Sequence, residues 1–296
     1  VGTADNRVKL TITNQNGEDV TSNYTFDNQF GTLEITKRPV TFTSGNGRWI
    51  YDGMYHDNPQ LTANNLVPGH TYVVRNCANI RDVGTKENSF SLYIYNDSGH
   101  SKNVTANYEI TTVFGTLEVT KRSITVTTLN NAWIYDGTAH IWDVCSVQNL
   151  VPEHSIQLVN CASITDVGQI PNRGEAKVTN PYENDADVTA NYEIHYVYGT
   201  LKVNPRPIIV AVWDTEKVYD GTPLYGGEPY VPADSPYPLV EGHTLSATVN
   251  GSRTDVGVSN SSISKCQIFD GTRDVTFNYS IRTTGGKIRV LQASIL

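Results

Sequence analysis

"GTLEVTKRSITVTT", residues Gly115–Thr128, carries the decision about the fold. Before Lys121-Arg122 the apolar residues fall on odd numbers, Leu117 and Val119. After it they fall on even numbers, Ile124 and Val126. Side chains alternate across an extended strand, so one continuous strand presents one apolar face. A change of phase means that the chain leaves one core at Lys121-Arg122 and enters another. The same change occurs from Leu33/Ile35 to Val40/Phe42, and from Leu201/Val203 to Ile208/Val210. Lys-Arg, or Pro205-Arg206-Pro207, therefore marks a boundary between β-modules. No Gly/Ser linker lies there, and Pro39, Pro205 and Pro207 stiffen the crossing.

The boundary recurs because the sequence repeats. Tyr51, Tyr135 and Tyr219, each in Tyr-Asp-Gly, are 84 residues apart. Arg38, Arg122 and Arg206 keep the same interval of 84. The Asp-Val-Gly aspartates Asp82, Asp166 and Asp255 are spaced by 84 and 89, and the Asn-Tyr tyrosines Tyr24, Tyr108, Tyr192 and Tyr279 by 84, 84 and 87. This predicts a truncated second half of a module over 1–37 and full modules over 38–121, 122–205 and 206–296. The last is divergent and carries a five-residue insertion in "PLYGGEPYVPADSPYPLVEGH".

Short alternating runs separated by Asp-Gly, Pro-Gly, Val-Gly and Ser-Gly turns fill each module. The pattern predicts an all-β chain of tandem, small, immunoglobulin-like β-sandwich modules in an elongated rod. A β-grasp-like module with one short helix is the alternative, the helix lying in "DNPQLTANNLV".

Composition narrows the function classes. A net charge of −8 argues against a nucleic-acid partner. No run of about 18 apolar residues predicts a membrane span. The chain begins at Val1 without a signal peptide, which reads as an excerpt or mature fragment of something longer. The four cysteines are too scattered for a disulfide framework, and they read as small buried hydrophobes, with a Cys145–Cys161 bridge as the alternative.

As a set, "KRPVTFTS", "YDG", "LVPGHT", "DVGT", "DVTSNY", "NVTANY" and "YGTLKV" resemble the YDG/MBG-type repeats of large bacterial surface proteins and adhesins, especially those of gut Gram-positive bacteria. The resemblance covers essentially the whole chain. It implies an extracellular, cell-wall-attached, all-β array with no defined catalytic residues.

The repeated polar residues read as structure. His70, His154 and His243 lack the spacing of metal ligands and read as turn or strand-edge residues. Asp52, Asp136 and Asp220 precede Gly, where Asp caps its own backbone, and Ca²⁺ at a module junction is the lesser reading. No lysine recurs at a core-facing position, as an internal isopeptide bond would require. The Asn-Tyr tyrosines predict hydroxyls tied to backbone at a fixed turn. The third module differs: Trp213, Tyr225, Tyr230 and Tyr237 sit on or near its insertion and are the candidate ligand-binding residues, suited to stacking on sugar rings or on a protein.

These readings predict a structural stalk of a bacterial surface adhesin, a monomeric array without catalytic residues, metal or cofactor. The alternative is a glycan- or host-protein-binding module with its site on the third repeat.

Overall fold

The computed structural model describes residues 1–294. The chain is all-β, with 52% of residues in strands and no α-helix among the described residues; single 3-10 turns such as Thr105–Asn107 and Thr276–Asn278 join them. The helix of the alternative, β-grasp-like reading is absent from "DNPQLTANNLV", where Leu61–Asn64 is a strand paired antiparallel with Arg38–Ser44. Its alternating half-buried pattern has period 2, and its backbone is taken up by pairing with Arg38–Ser44.

By backbone contacts the chain forms two compact units: Val1–Arg122 with Ala190–Glu193, and Ser123–Thr189 with Ile194 onward. In the second unit, the strand Arg206–Val212 pairs parallel with Tyr279–Thr284 and antiparallel with Pro229–Tyr230. Thr215–Val218 pairs parallel with Lys287–Leu291, which also pairs antiparallel with Gly257–Asn260. The long hairpin of His243–Asn250 and Ser262–Asp270 completes this part, with a register shift at Thr248/Val249. The edge strand Pro229–Tyr230 takes the place that Leu61–Asn64 and Cys145–Gln148 hold in the other modules, so the five extra residues lie after it, between Tyr230 and Leu239.

The same order of pairings recurs in the first unit: Arg38–Ser44 with Tyr108–Val113 and Leu61–Asn64, Thr116–Thr120 between Gly47–Ile50 and Gly84–Glu87, and the hairpin of Thr71–Arg75 with Ser91–Tyr95. Gly2–Asn6 and Gly31–Ile35 form a two-stranded ribbon on which Leu33 and Ile35 remain exposed; residues 1–37 hold no counterpart of Arg38–Ser44, Gly47–Ile50, Leu61–Asn64 or Thr71–Arg75.

At Pro205-Arg206-Pro207 the phase change buries both sets of side chains, but not in separate cores. Leu201 and Val203 before the boundary belong to the same apolar cluster as Ile208 and Val210 after it, together with Tyr135, Ile268 and Tyr279. Only Pro205 separates the two strands, so the boundary is a buried joint rather than a linker.

Candidate functional site

Each Tyr-Asp-Gly stretch is a turn closed by its own aspartate. Asp136 Oδ1 accepts the Thr138 N–H at 2.9 Å and lies 3.0 Å from His140 Nε2, while Gly137 takes φ +79°. The His140 ring stacks on Trp133, with centroids 4.7 Å apart. Asp52, Met54, His56 and Trp49 repeat this in the first unit, with the Asp52–His56 bond at 2.9 Å and rings 4.8 Å apart. Burial opposes ionisation of Asp52 and Asp136, but the backbone N–H and the histidine outweigh it and hold both carboxyls below the usual range.

The third copy lacks the Trp and the His, with Lys217 and Leu224 in their places. Lys217 Nζ donates to Asp220 Oδ1, Thr222 O and Thr222 Oγ1, each at 2.7 Å. One ammonium group thus ties down the turn that a ring stack holds elsewhere. That substitution is visible in the sequence, but its compensation is not.

The buried joint inside the second unit uses the remaining repeated residues. Tyr135, only 3% exposed, meets Tyr279 edge-on with centroids 5.6 Å apart. Arg206 Nη1 donates to Tyr135 O at 3.1 Å. Asn278, fully buried, donates through Nδ2 to Asp166 Oδ1 at 2.8 Å and accepts the Val167 N–H at 2.7 Å. Arg273 Nη2 pairs with Asp166 Oδ2. Burial raises the Asp166 carboxyl, yet Asn278 and Arg273 together hold it below its usual value. Within the first unit Asn191 makes the same two bonds, to Asp82 Oδ1 at 3.0 Å and from the Val83 N–H at 2.8 Å. Asp-Val-Gly and Asn-Tyr are therefore two halves of one contact, separated in the chain by more than a hundred residues.

The Tyr279 and Tyr108 hydroxyls are tied to backbone as expected, with a partner the sequence did not reveal. Tyr279 Oη accepts the Val240 N–H at 3.2 Å and bonds His243 Nδ1 at 2.7 Å. Tyr108 repeats this with Val67 N at 3.4 Å and His70 Nδ1 at 2.6 Å. The recurring histidines lock tyrosines.

A second device escaped the sequence reading. Thr128 Oγ1 donates to Asn172 O at 2.7 Å and accepts the Gly199 N–H at 3.0 Å, both within the second unit. Ser44 does the same with Asn88 and Gly115. In the third module Val212 stands at the corresponding place, and the hydroxyl comes from Ser261, which bonds both N and O of Gly286. The tight approach that makes this possible needs glycine: a Cβ on Gly199 would lie 2.6 Å from Thr128 O.

Of the four candidate ligand residues, the structure brings two together. Trp213, 56% exposed, stacks on Tyr230 with centroids 3.7 Å apart and planes 8° from parallel. Its backbone N–H donates to Glu228 O at 3.1 Å, which fixes it beside the edge strand. Tyr225 is 65% exposed, and its carbonyl accepts from Thr215 Oγ1. Tyr237 lies elsewhere: its ring packs on the apolar cluster beneath the Arg206 guanidinium, 4.9 Å from the ring centroid.

The four cysteines are free thiols, half-buried rather than buried. Burial, with Cys161 and Asp143 nearby, pushes the Cys145 thiol up, which keeps it protonated and unreactive at neutral pH. Among the described residues no three His, Cys, Asp or Glu side chains gather as metal ligands, and no helix is long and apolar enough to cross a membrane.

No family model matches the chain, and no curated protein matches it. The solved structures similar to it include two multi-domain ones. One is the EC1-3 region of Drosophila N-cadherin, at 8% identity over 85% of this chain and 99% of that one, with a TM-score of 0.29. The other is the I9-I11 tandem of titin, at 10% identity over 88% of this chain and 99% of that one, with a TM-score of 0.22. Overlap at these scores does not establish a shared topology.

Proposed function

We infer that this chain is a run of tandem β-modules, small and sandwich-like, that acts as a stalk in a bacterial cell-surface adhesin, outside the cell and attached to its wall. The function is mechanical spacing, without catalysis. One observation supports it most: the repeated motifs are consumed by turns and by module-to-module contact. Tyr135, Asp166, Asn278, Tyr279 and His243 all bond to one another or to backbone, leaving their chemistry spent on structure. The resemblance to YDG/MBG-type repeats supplies the cell-surface context. A small-angle scattering profile of the dilute chain is expected to give the long maximum dimension of a rod. A compact particle would overturn the stalk reading.

The stacked, exposed Trp213–Tyr230 pair favours a second reading, a glycan site on the third module, because a flat aromatic face held at the surface suits a pyranose ring. Glycan-array and mucin binding by the chain, lost on Trp213→Ala and kept on Trp133→Ala, would support it. Absence of binding at millimolar glycan would discard it.

A further inference from the structure

Two cysteines share a module only in the second copy. Cys145 and Cys161 both lie there, whereas Leu61 and Cys77 stand at those places in the first module, and Pro229 and Asn250 in the third. Cys145 opens the edge strand Cys145–Gln148, which pairs antiparallel with Arg122–Thr128. It lies directly opposite Thr128, and opposed residues of an antiparallel pair point to the same face of the sheet. Thr128 is buried, so the Cys145 side chain is turned to the interior of the module.

Cys161 reaches the same interior along one short segment. Thr128 Oγ1 donates to Asn172 O at 2.7 Å. Next in the chain, Arg173 O accepts the Ala162 N–H at 2.7 Å. A Cβ on Gly174 would lie 3.2 Å from Cys161 Sγ. Residues 172–174 thus lead from the residue opposite Cys145 to the Cys161 sulfur. Burial and then Cys161 raise the Cys145 thiol, which puts the two sulfurs within electrostatic reach of each other. Gly174 does not take a positive φ, so its backbone does not demand glycine. Its counterpart in the first module is Phe90, which packs on the same apolar cluster as Leu61. The second module therefore exchanges two large apolar side chains of one core region for a cysteine and a glycine. The glycine leaves room at the second sulfur.

We propose that Cys145 and Cys161 are the site of a reversible covalent cross-link, made by exchange with a small-molecule disulfide. The thiolate of one cysteine attacks a sulfur of the small disulfide and releases its other half as a thiolate. The second cysteine, also as thiolate, attacks the mixed disulfide and releases the remaining half. The two protein sulfurs are oxidised to a disulfide, the small disulfide is reduced to two thiols, and the two cysteine protons end on those thiols. The burial that keeps both thiols protonated slows exchange at neutral pH, and it makes each a poor leaving group, so the bridge is slow to open once made. It pins the edge strand Cys145–Gln148 to the segment after Ser155–Val159 and closes residues 146–160 into a loop. In a module under load those residues would not be drawn out. That consequence rests on the spacer reading, whereas the cross-link itself does not.

The test equilibrates the full chain in mixtures of reduced and oxidised glutathione at about pH 8.5, where thiolates are abundant. Remaining thiols are then trapped with N-ethylmaleimide in denaturant and counted by mass spectrometry. The reduced chain takes four maleimides, one per cysteine, and the bridged chain is expected to take two. Cleavage after Glu153 separates the two cysteines in the chain, so the bridge holds two peptides together until reductant is added. The value of [GSH]²/[GSSG] at half-bridging is expected to be at least about tenfold higher for the native chain than in concentrated urea, because the fold brings the sulfurs together. Cys145→Ser and Cys161→Ser are each expected to abolish the bridge, and Cys77→Ser to leave it unchanged. Four maleimides on the native chain in oxidised glutathione overturn the proposal. So do glutathione adducts that persist on Cys145 or Cys161 without a bridge, a bridge from either to Cys77 or Cys266, or equal half-points with and without urea.

Discussion

Lys217 does with an ammonium group what Trp133 and His140 do with stacked rings. The turn survives because its essential part is local: Asp220 Oδ1 accepts the Thr222 N–H at 2.9 Å, as Asp136 does for Thr138. The two solutions differ in strength. A ring that packs on the core contributes through burial, whereas a surface ammonium contributes little. Trp133→Ala is therefore expected to destabilise the chain by about 2–4 kcal/mol, and Lys217→Ala to lower the midpoint much less, both read by urea unfolding. The residue scale also fixes a pH response. Asp166 has a native pKa below its unfolded value near about 3.9. Between the two values the unfolded state binds more protons, so stability rises with pH there. The contribution of Asp166 is complete above the unfolded value and is lost as pH falls through the lowered native one. Acid titration of unfolding is expected to show this loss in the wild type and a smaller loss in Asp166→Asn.

At the element scale, alternation and turn chemistry made most strands legible. The phase change at Lys121-Arg122 located the strands on both sides of it, since Leu117, Val119, Ile124 and Val126 are all buried. Two things were not legible. The stretch 61–64 offered too few residues for its period to be told from a helix. The parallel pairing of a module's first strand with its next-to-last, such as Arg206 with Tyr279, joins residues distant in the chain, about which local pattern says nothing. The glycines of "FGTL" and "YGTL" look like turn residues. They are instead close-approach positions: a Cβ on Gly115 would lie 2.3 Å from Gly45 O, and one on Gly199 would lie 2.6 Å from Leu129 C. Gly199→Ala is expected to cost about 1–3 kcal/mol by forcing the backbones apart, seen as a lower thermal midpoint. Gly221→Ala should be milder, because no heavy atom lies within 4 Å and only its φ is strained.

At the scale of the molecule, the joint replaces the linker. Asn278 is fully buried and satisfies both a carboxylate and a backbone N–H. Its removal leaves Asp166 with a poorer shell and Val167 N–H unpaired, a cost of about 1–3 kcal/mol. Asn278→Ala is expected to show that loss in denaturant together with faster amide exchange at Val167, while Asn65→Ala, on the exposed surface, should leave Val167 unchanged. The candidate aromatic site was legible only in part. Exposure of Tyr225 follows from its Gly/Pro-rich surroundings, but the stacking of Trp213 on Tyr230 depends on the register of an edge strand, and Tyr237 is held by Arg206.

Reading the residues alone settles the repeat, its phase, the all-β character and the turn at each Tyr-Asp-Gly, because these rest on alternation and on bonds spanning two to four residues. Only the folded chain decides that Asp-Val-Gly and Asn-Tyr are partners, that His243 locks Tyr279, and that Val212 and Ser261 replace the Thr128 device. Those contacts join groups tens to more than a hundred residues apart, and burial, not sequence proximity, selects which of the repeated polar groups must meet.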